Sequence, residues 1–303
     1  MISVIGSINM DITVFLDTHP QYGETRFGNR VEITPGGKGA NQAVACKKLG
    51  QEVHLVGCIG QDIFGSMIVS ELEMSGIDTK SIIMSEKYKT GSAHITVDNT
   101  GENTMVVIRG ANQDLCISDI EKNVRSLAKS SVLLVQMEIS EEVAVYAMKK
   151  AKENGVYVIL DPAPGDGYSK HVLRFADLVI PNLQETEFLT GIAIINDESA
   201  REASCILRSL GPSCGVIKMA ERGSYIYSND TGIRVNGIRV KAIDTVGAGD
   251  CFAGALATSI THMELVDAVR YATFASALKV TRVGAQKGMP MSCEVDAFIN
   301  SLL

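Results

Sequence analysis

The chain has 303 residues, 46% of them hydrophobic, with a formal net charge of −7 and a pI near 5.3. Such a composition excludes a disordered or fibrous chain, and a core of this size needs no disulfide or metal staple. The acidic balance argues against a nucleic-acid partner, which calls for a basic face, and no apolar run approaches the roughly 18 residues of a membrane span.

The chain opens on Met1-Ile2-Ser3-Val4-Ile5-Gly6, where no basic stretch precedes the apolar residues; it reads as a strand and not as a signal peptide. Strands are predicted at 2–6, 52–57, 132–136, 156–160, 177–180 and 215–219. Each is a nearly continuous apolar run, as parallel strands buried on both faces require. Helical patterns fall between them at 40–49, 64–75, 118–130, 141–154 and 198–210. This alternation predicts an α/β fold, a doubly wound and mostly parallel sheet. Two stretches break it: 12–34 and 89–109 alternate with period two, and 92–108 reads as a hairpin turning at 98–101. They predict a small β-sheet lid, 12–34 plus 89–109, standing on a core of 1–11, 35–88 and 110–303. Beyond Gly247 the chain is helical through Val280, and a last helix covers 292–303. The seven cysteines are scattered without a CxxC pair and read as free thiols of a reducing cytoplasm, with Cys251 a buried small hydrophobe.

Four polar clusters fall at the junctions. Thr34-Pro35-Gly36-Gly37-Lys38-Gly39-Ala40-Asn41-Gln42 joins a lid strand to a helix. Its glycines suit either a tight turn or a backbone that approaches a ligand closely. It lacks the GxxxxGK[ST] order of a Walker A loop. Asp244-Thr245-Val246-Gly247-Ala248-Gly249-Asp250 opens a second helix. Gly247, Ala248 and Gly249 would offer backbone N–H groups to an anion, most naturally a phosphate. Asp250 either complements the helix dipole or takes a proton from an attacking hydroxyl. Pro181-Asn182-Leu183-Gln184-Glu185 follows a parallel strand, and reads as a capping pair or as a Mg²⁺–phosphate site acting through waters. Gly6-Ser7-Ile8-Asn9-Met10-Asp11 places Asn9 and Asp11 to fork onto the hydroxyls of a polyol or to form an Asx turn, and Glu138 points at the same sheet edge.

Taken in order, GSINMD, PGGKGANQA, PNLQETE, DTVGAGD and VTRVGAQKGMP resemble the ribokinase/PfkB family of carbohydrate kinases over nearly the whole chain. GGKGANQA, Asp161-Pro162-Ala163-Pro164 and TRxGAQ resemble its ribose-phosphorylating branch more than its nucleoside or fructose-phosphate branches. The resemblance implies an ATP-dependent kinase that phosphorylates D-ribose at O5, with Asp250 as base and Gly247, Ala248 and Gly249 as anion hole. Asn9, Met10, Asp11, Gly37, Lys38, Gly39, Ala40, Asn41 and Glu138 would hold the sugar. Asn182, Lys218, Met219, Ala220, Glu221, Arg222, Gly223 and Gly249 would bind ATP, with Thr273 near the adenine. Glu185 would lie near Mg²⁺. A structural or activating K⁺ would sit on Asp244 and on carbonyls of Val246, Lys279, Arg282, Gly284 and Gly288. The resemblance also implies a homodimer through the lid. The chain departs from the family's Thr-Leu-Gly-x-x-Gly nucleotide stretch, with Lys218 for Thr and Ala220 for Gly.

A kinase for deoxyribose, fructose or a nucleoside is the main alternative; Tyr22, Phe27 and Tyr88 are the lid aromatics a base would stack on. A sugar-binding regulator without activity is the reading from another class, and the intact run from Gly247 to Asp250 opposes it. A dinucleotide dehydrogenase fails because Gly6-Ser7-Ile8-Asn9 is not GxGxxG.

Overall fold

In the computed structural model, residues 1–165, 167–228 and 231–302 are described. The elements run β1 (Ile2–Ile5), β2 (Asn9–Phe15), β3 (Arg30–Gly36), α1 (Lys38–Lys48), β4 (Val53–Gly60), α2 (Ile63–Met74), β5 (Ile82–Ser85), β6 (Gly91–Val97) and β7 (Asn103–Ile108). They continue through α3 (Ile117–Leu127), β8 (Val132–Gln136), α4 (Glu141–Glu153), β9 (Tyr157–Asp161), β10 (Leu178–Val179), α5 (Leu183–Thr190), α6 (Asp197–Ser209) and β11 (Cys214–Lys218). The chain ends with β12 (Ser224–Ser228), β13 (Thr231–Val235), α7 (Ala248–Ser259), α8 (Leu265–Lys279), α9 (Ala285–Gly288) and α10 (Ser292–Leu302).

Nine strands form one sheet in the order β13-β12-β11-β10-β9-β8-β1-β4-β5, parallel from β11 to β5, with β12 and β13 antiparallel at one edge. Two apolar clusters cover its faces, one under α1, α7 and α8 and the other under α3, α4 and α6. Burial on both faces is why β1 and β8 carry almost unbroken Val, Ile and Leu. A second sheet, β3-β2-β6-β7, is built from the two period-two stretches.

The small-sheet strand β2 begins at Asn9, so Asn9, Met10 and Asp11, expected in the core segment, lie on a strand of the second sheet. The pairing of β2 with β6 is parallel, while β6 and β7 form the expected antiparallel hairpin. Three strands escaped the sequence reading. β5 is four residues long, and β12 and β13 form an antiparallel edge ribbon with no helix to announce it. The helical run after Gly247 breaks after Ser259, where the His262 and Met263 N–H groups bond Ser259 O and turn the chain back as α8. Leu303, the last residue of the expected final helix, lies outside the described residues. Among the described residues no helix is long and apolar enough to cross a membrane.

Candidate active site

Because the strands of the large sheet from β11 across to β5 are parallel, the carboxyl ends of β1, β8, β9, β10 and β11 deliver Ser7, Glu138, Asp161, Asn182 and Lys218 to one edge of the sheet. The small sheet stands over this edge. Between them lies a cavity of ≈ 700 Å³ lined by Ser7, Asn9, Lys38, Asn112 and Glu138 below and by Met105, Val107 and Arg109 from the β7 side. It extends past Ala163, Gly165 and Glu185 to Phe188.

Two helices bring their N-termini here, and their contact fixes the geometry. At Gly254 of α7 an added Cβ would lie 2.6 Å from Cβ of Ala45 and 3.1 Å from the Gln42 carbonyl oxygen, so glycine lets α1 and α7 touch. Asn41 and Gln42 of α1 thereby reach Asp250 of α7. Asn41 Nδ2 donates to Asp250 Oδ2 at 2.9 Å, and Gln42 Nε2 donates to Asp250 Oδ1 at 3.1 Å. Both amides are bonded further out in turn: Gln286 Nε2 donates to Asn41 Oδ1 at 3.1 Å, and Gln136 Nε2 donates to Gln42 Oε1. Asp250 therefore receives hydrogen bonds and gives none to protein, the arrangement a carboxylate needs. Burial pushes its pKa up; the Lys38 ammonium and the Asn41 and Gln42 bonds oppose that shift.

The start of α7 is open to a ligand. Gly247 takes a left-handed conformation, φ 77°, as the N-cap. Among the described residues the N–H groups of Gly247, Gly249 and Asp250 have no acceptor, whereas Ala248 N donates to Thr245 O at 3.1 Å. Of the expected donors Gly247, Ala248 and Gly249, the Ala248 N–H is engaged by the turn before the helix, while that of Asp250 is unpaired among the described residues. The Lys218 ammonium lies 3.9 Å from where a Gly249 side chain would begin. It also donates to Asp161 Oδ1 at 2.8 Å, and Asp161 Oδ2 accepts from Gln42 at 2.9 Å.

On the opposite side, Lys38 is held strongly protonated by the charges of Asp250, Glu138, Asp161 and Glu185, which outweigh its burial. Burial, then the charges of Glu138 and Asp250, push Asp11 up to about 7 against the pull of Lys38. Burial also raises Glu138, whose carboxylate accepts from the Ser7 hydroxyl. Asn9 Oδ1 is taken by Asn112 Nδ2 at 2.8 Å, which leaves its amide as the donor for a ligand. Gly37 has φ +85°, and a Cβ on Gly37 or Gly39 would meet backbone of residues 6–9 below 3 Å, so the glycine turn seats α1 on the end of β1. Met10 is wholly buried, and Ala40 packs in the core.

The remaining expected residues are placed as follows. Asn182 and Glu185 form a reciprocal capping box at α5, with Asn182 N and Nδ2 both donating to the Glu185 carboxylate. Burial raises the Glu185 pKa. Ala220 has φ +51°, the left-handed conformation that favours the glycine it replaces, and Gly223 has φ +89°. Met219 is buried, Glu221 is exposed, and the Arg222 guanidinium bonds the Ile194 and Ile195 carbonyls. The Thr273 hydroxyl bonds Val269 O of its own helix. Cys251 is buried and its thiol is pushed up to about 12, the environment of a packing residue. Tyr22 and Phe27 are fully exposed and offer no shelf in the cavity.

Several of the residues expected to cradle K⁺ are already engaged within the protein, while the Val246, Arg282 and Gly288 carbonyls accept no hydrogen bond from a described residue. The Asp244 carboxylate accepts from Val246 N at 2.9 Å and Gly284 N at 2.7 Å, and the Lys279 and Gly284 carbonyls accept from Arg282 N and Gly288 N. The Asp244 main-chain oxygen is occupied by the Lys279 ammonium at 2.9 Å. Sequence reading also passed over Gln42, Asn112, Asp161 and Gln286. Gln42, Asp161 and Gln286 stood within quoted motifs but carried no signal of their own.

The model of the pfkB family of carbohydrate kinases matches residues 1–291. A ribokinase of Haemophilus influenzae is 35% identical over 299 residues, covering 98% of both chains. A deoxyribokinase of Salmonella typhi is 33% identical over 293 residues and 95% of both. The structure of Arabidopsis thaliana ribokinase complexed with ribose and ATP superposes with a TM-score of 0.92 at 28% identity, over 98% of each chain.

Proposed function

Because the chain belongs to the pfkB family of carbohydrate kinases, phosphotransferases acting on an alcohol group, we propose that it transfers the γ-phosphoryl group of ATP to O5 of D-ribose, giving ribose 5-phosphate and ADP. The carrying observation is Asp250: a buried carboxylate that only accepts hydrogen bonds, beside the unpaired N–H groups of a helix start.

The ribose O5 hydroxyl gives its proton to Asp250 as its oxygen attacks the γ-phosphorus in line. The bond to the β,γ-bridging oxygen breaks and ADP leaves. The N–H groups of Gly247, Gly249 and Asp250 and the Lys218 ammonium take up the charge on the transferring group, and cost no reorganisation as it forms. Asn41 and Gln42 hold the base in line, and Asn9, Asp11, Lys38 and Glu138 hold the sugar hydroxyls. The small sheet covers the sugar and keeps water from competing for the phosphoryl group. ATP lies along Asn182 and the turn from Lys218 to Gly223, with Thr273 toward the adenine. Mg²⁺ supplies charge neutralisation on the phosphates. Glu185 would hold it through waters, since each of its oxygens keeps a lone pair beyond the capping bonds.

The exposed apolar side chains Val31, Ile33, Val106 and Ile108 on the small sheet support a homodimer through the lid. Size-exclusion chromatography with light scattering tests it, with twice the 32.5 kDa chain mass expected. Seven free cysteines fit a cytoplasmic enzyme. Release of ADP across ribose, deoxyribose, fructose and a nucleoside tests the activity; ribose is expected to give the highest kcat/KM. The likeness to a deoxyribokinase makes 2-deoxyribose the second reading, and a preference for it over ribose would select that reading.

A further inference from the structure

Lys279 is a wholly buried lysine, an expensive placement unless its charge is matched. Its ammonium donates to Asp244 O at 2.9 Å, at the start of the loop that leads into the α7 N-terminus. Its Cε lies 3.2 Å from where a Gly288 side chain would begin, a point 3.3 Å from both the Arg282 and Val283 carbonyl oxygens. Neither carbonyl accepts a hydrogen bond from a described residue. The Asp244 carboxylate, bonded to Val246 N and Gly284 N, ties the same loop to the segment that carries these carbonyls. An ammonium is thus built into the protein on the Asp244 main-chain oxygen, with its stem against the segment whose carbonyls the expected cation would bridge.

We propose that the Lys279 ammonium acts as the tethered cation of this loop, so that the enzyme orders its anion hole without bound K⁺. The proposal rests on the reading of Gly247, Gly249 and Asp250 as that hole. Lys279 is a positioning residue: it holds residues 244–247, whose left-handed Gly247 aims the donors, and never touches the substrate. Glycine at 288 belongs to the same device, since a side chain there would press on Lys279 Cε.

The test compares turnover in tetramethylammonium, Na⁺, K⁺ and Cs⁺ chlorides at one ionic strength, which holds screening constant. The unmodified enzyme is expected to vary by less than about twofold, with no K⁺-dependent rise in Tm. Lys279→Met keeps the stem and removes the charge, and should lower kcat by about 10²-fold, the loss typical of a disordered oxyanion hole, in every salt. Lys279→Ala opens room for an ion. It should lose activity similarly in tetramethylammonium, recover at least about tenfold in K⁺ or NH₄⁺, and gain Tm with those ions. Strong K⁺ activation of the unmodified enzyme, full activity of Lys279→Met, or a Lys279→Ala loss that no small cation restores would each overturn the proposal. If no sugar is phosphorylated, the functional reading fails, and the Tm comparison still decides whether Lys279 replaces an ion.

Discussion

Replacing Asp250 by Asn removes the proton acceptor while keeping the shape of the side chain. General-base catalysis contributes about 10²–10⁴-fold, so kcat should fall by that factor, about 3–5 kcal/mol in activation free energy. Stability should barely change, because two effects oppose. The new amide N–H must face Asn41 Nδ2 or Gln42 Nε2, and turning either amide requires Gln286 or Gln136 to turn with it, or, for Gln42, the bond to Asp161 to be lost. An unsatisfied donor of this kind costs about 1–3 kcal/mol. Against it, the variant no longer buries a carboxylate in an environment that raises its pKa. The net effect on Tm should stay within about 4 °C at about 2 °C per kcal/mol for a chain of this size. A coupled ADP-release assay measures kcat, calorimetry follows sugar binding, and a thermal melt confirms folding. A folded Asp250→Asn enzyme with kcat within about tenfold of the unmodified one would refute the role of Asp250 as base.

Three other substitutions probe the frame of the site. Ala220→Gly should stabilise the protein by about 0.5–1 kcal/mol in chemical denaturation. Relief of a left-handed alanine, about 1–2 kcal/mol, exceeds the entropy that glycine adds to the unfolded chain; no gain would refute strain at φ +51°. Gly254→Ala should cost about 1–3 kcal/mol and lower kcat, since its methyl meets Ala45 and moves the helix that carries Asn41 and Gln42; unchanged kcat and stability would contradict close α1–α7 contact. Asp11 supplies a pH test. Its folded pKa, about 7, lies above the ordinary 3.8, so the folded state holds the extra proton and this contribution to stability is full below about 4 and lost as pH rises toward 7. The Tm of sugar-free protein should therefore fall more steeply from pH 5 to 8 than that of Asp11→Asn; parallel curves would remove Asp11 as the source.

Much of the core and the site's skeleton was legible in the sequence because both rest on strong local signals. Parallel strands buried on two faces must be apolar, and a helix entered through a positive φ favours glycine, as at Gly37 and Gly247. What stayed hidden depends on direction rather than residue type. One amide in an apolar helix, such as Gln42, leaves the hydrophobic period intact and gives no hint that it points at a carboxylate. Ala248 looks identical to its neighbours until the turn shows its N–H closed on Thr245. Lys279 reads as the charged end of a helix, the place where cations commonly face solvent, and only the fold turns it inward. Asn182 and Glu185 carried both a capping and a metal reading in sequence; the cap is formed, and it also presents the carboxylate at the cavity.

The one-way polarity of the amides around Asp250 also constrains how a catalytic cycle closes. Every protein group that touches this carboxylate donates to it, and among the described residues none in contact can receive a proton from it. A proton collected from the sugar therefore has no relay through the protein interior. It can depart only by the face through which the hydroxyl came, into water admitted once the cavity is uncovered. On the proposed mechanism, resetting the base and discharging the product would then share a single doorway beneath the small sheet.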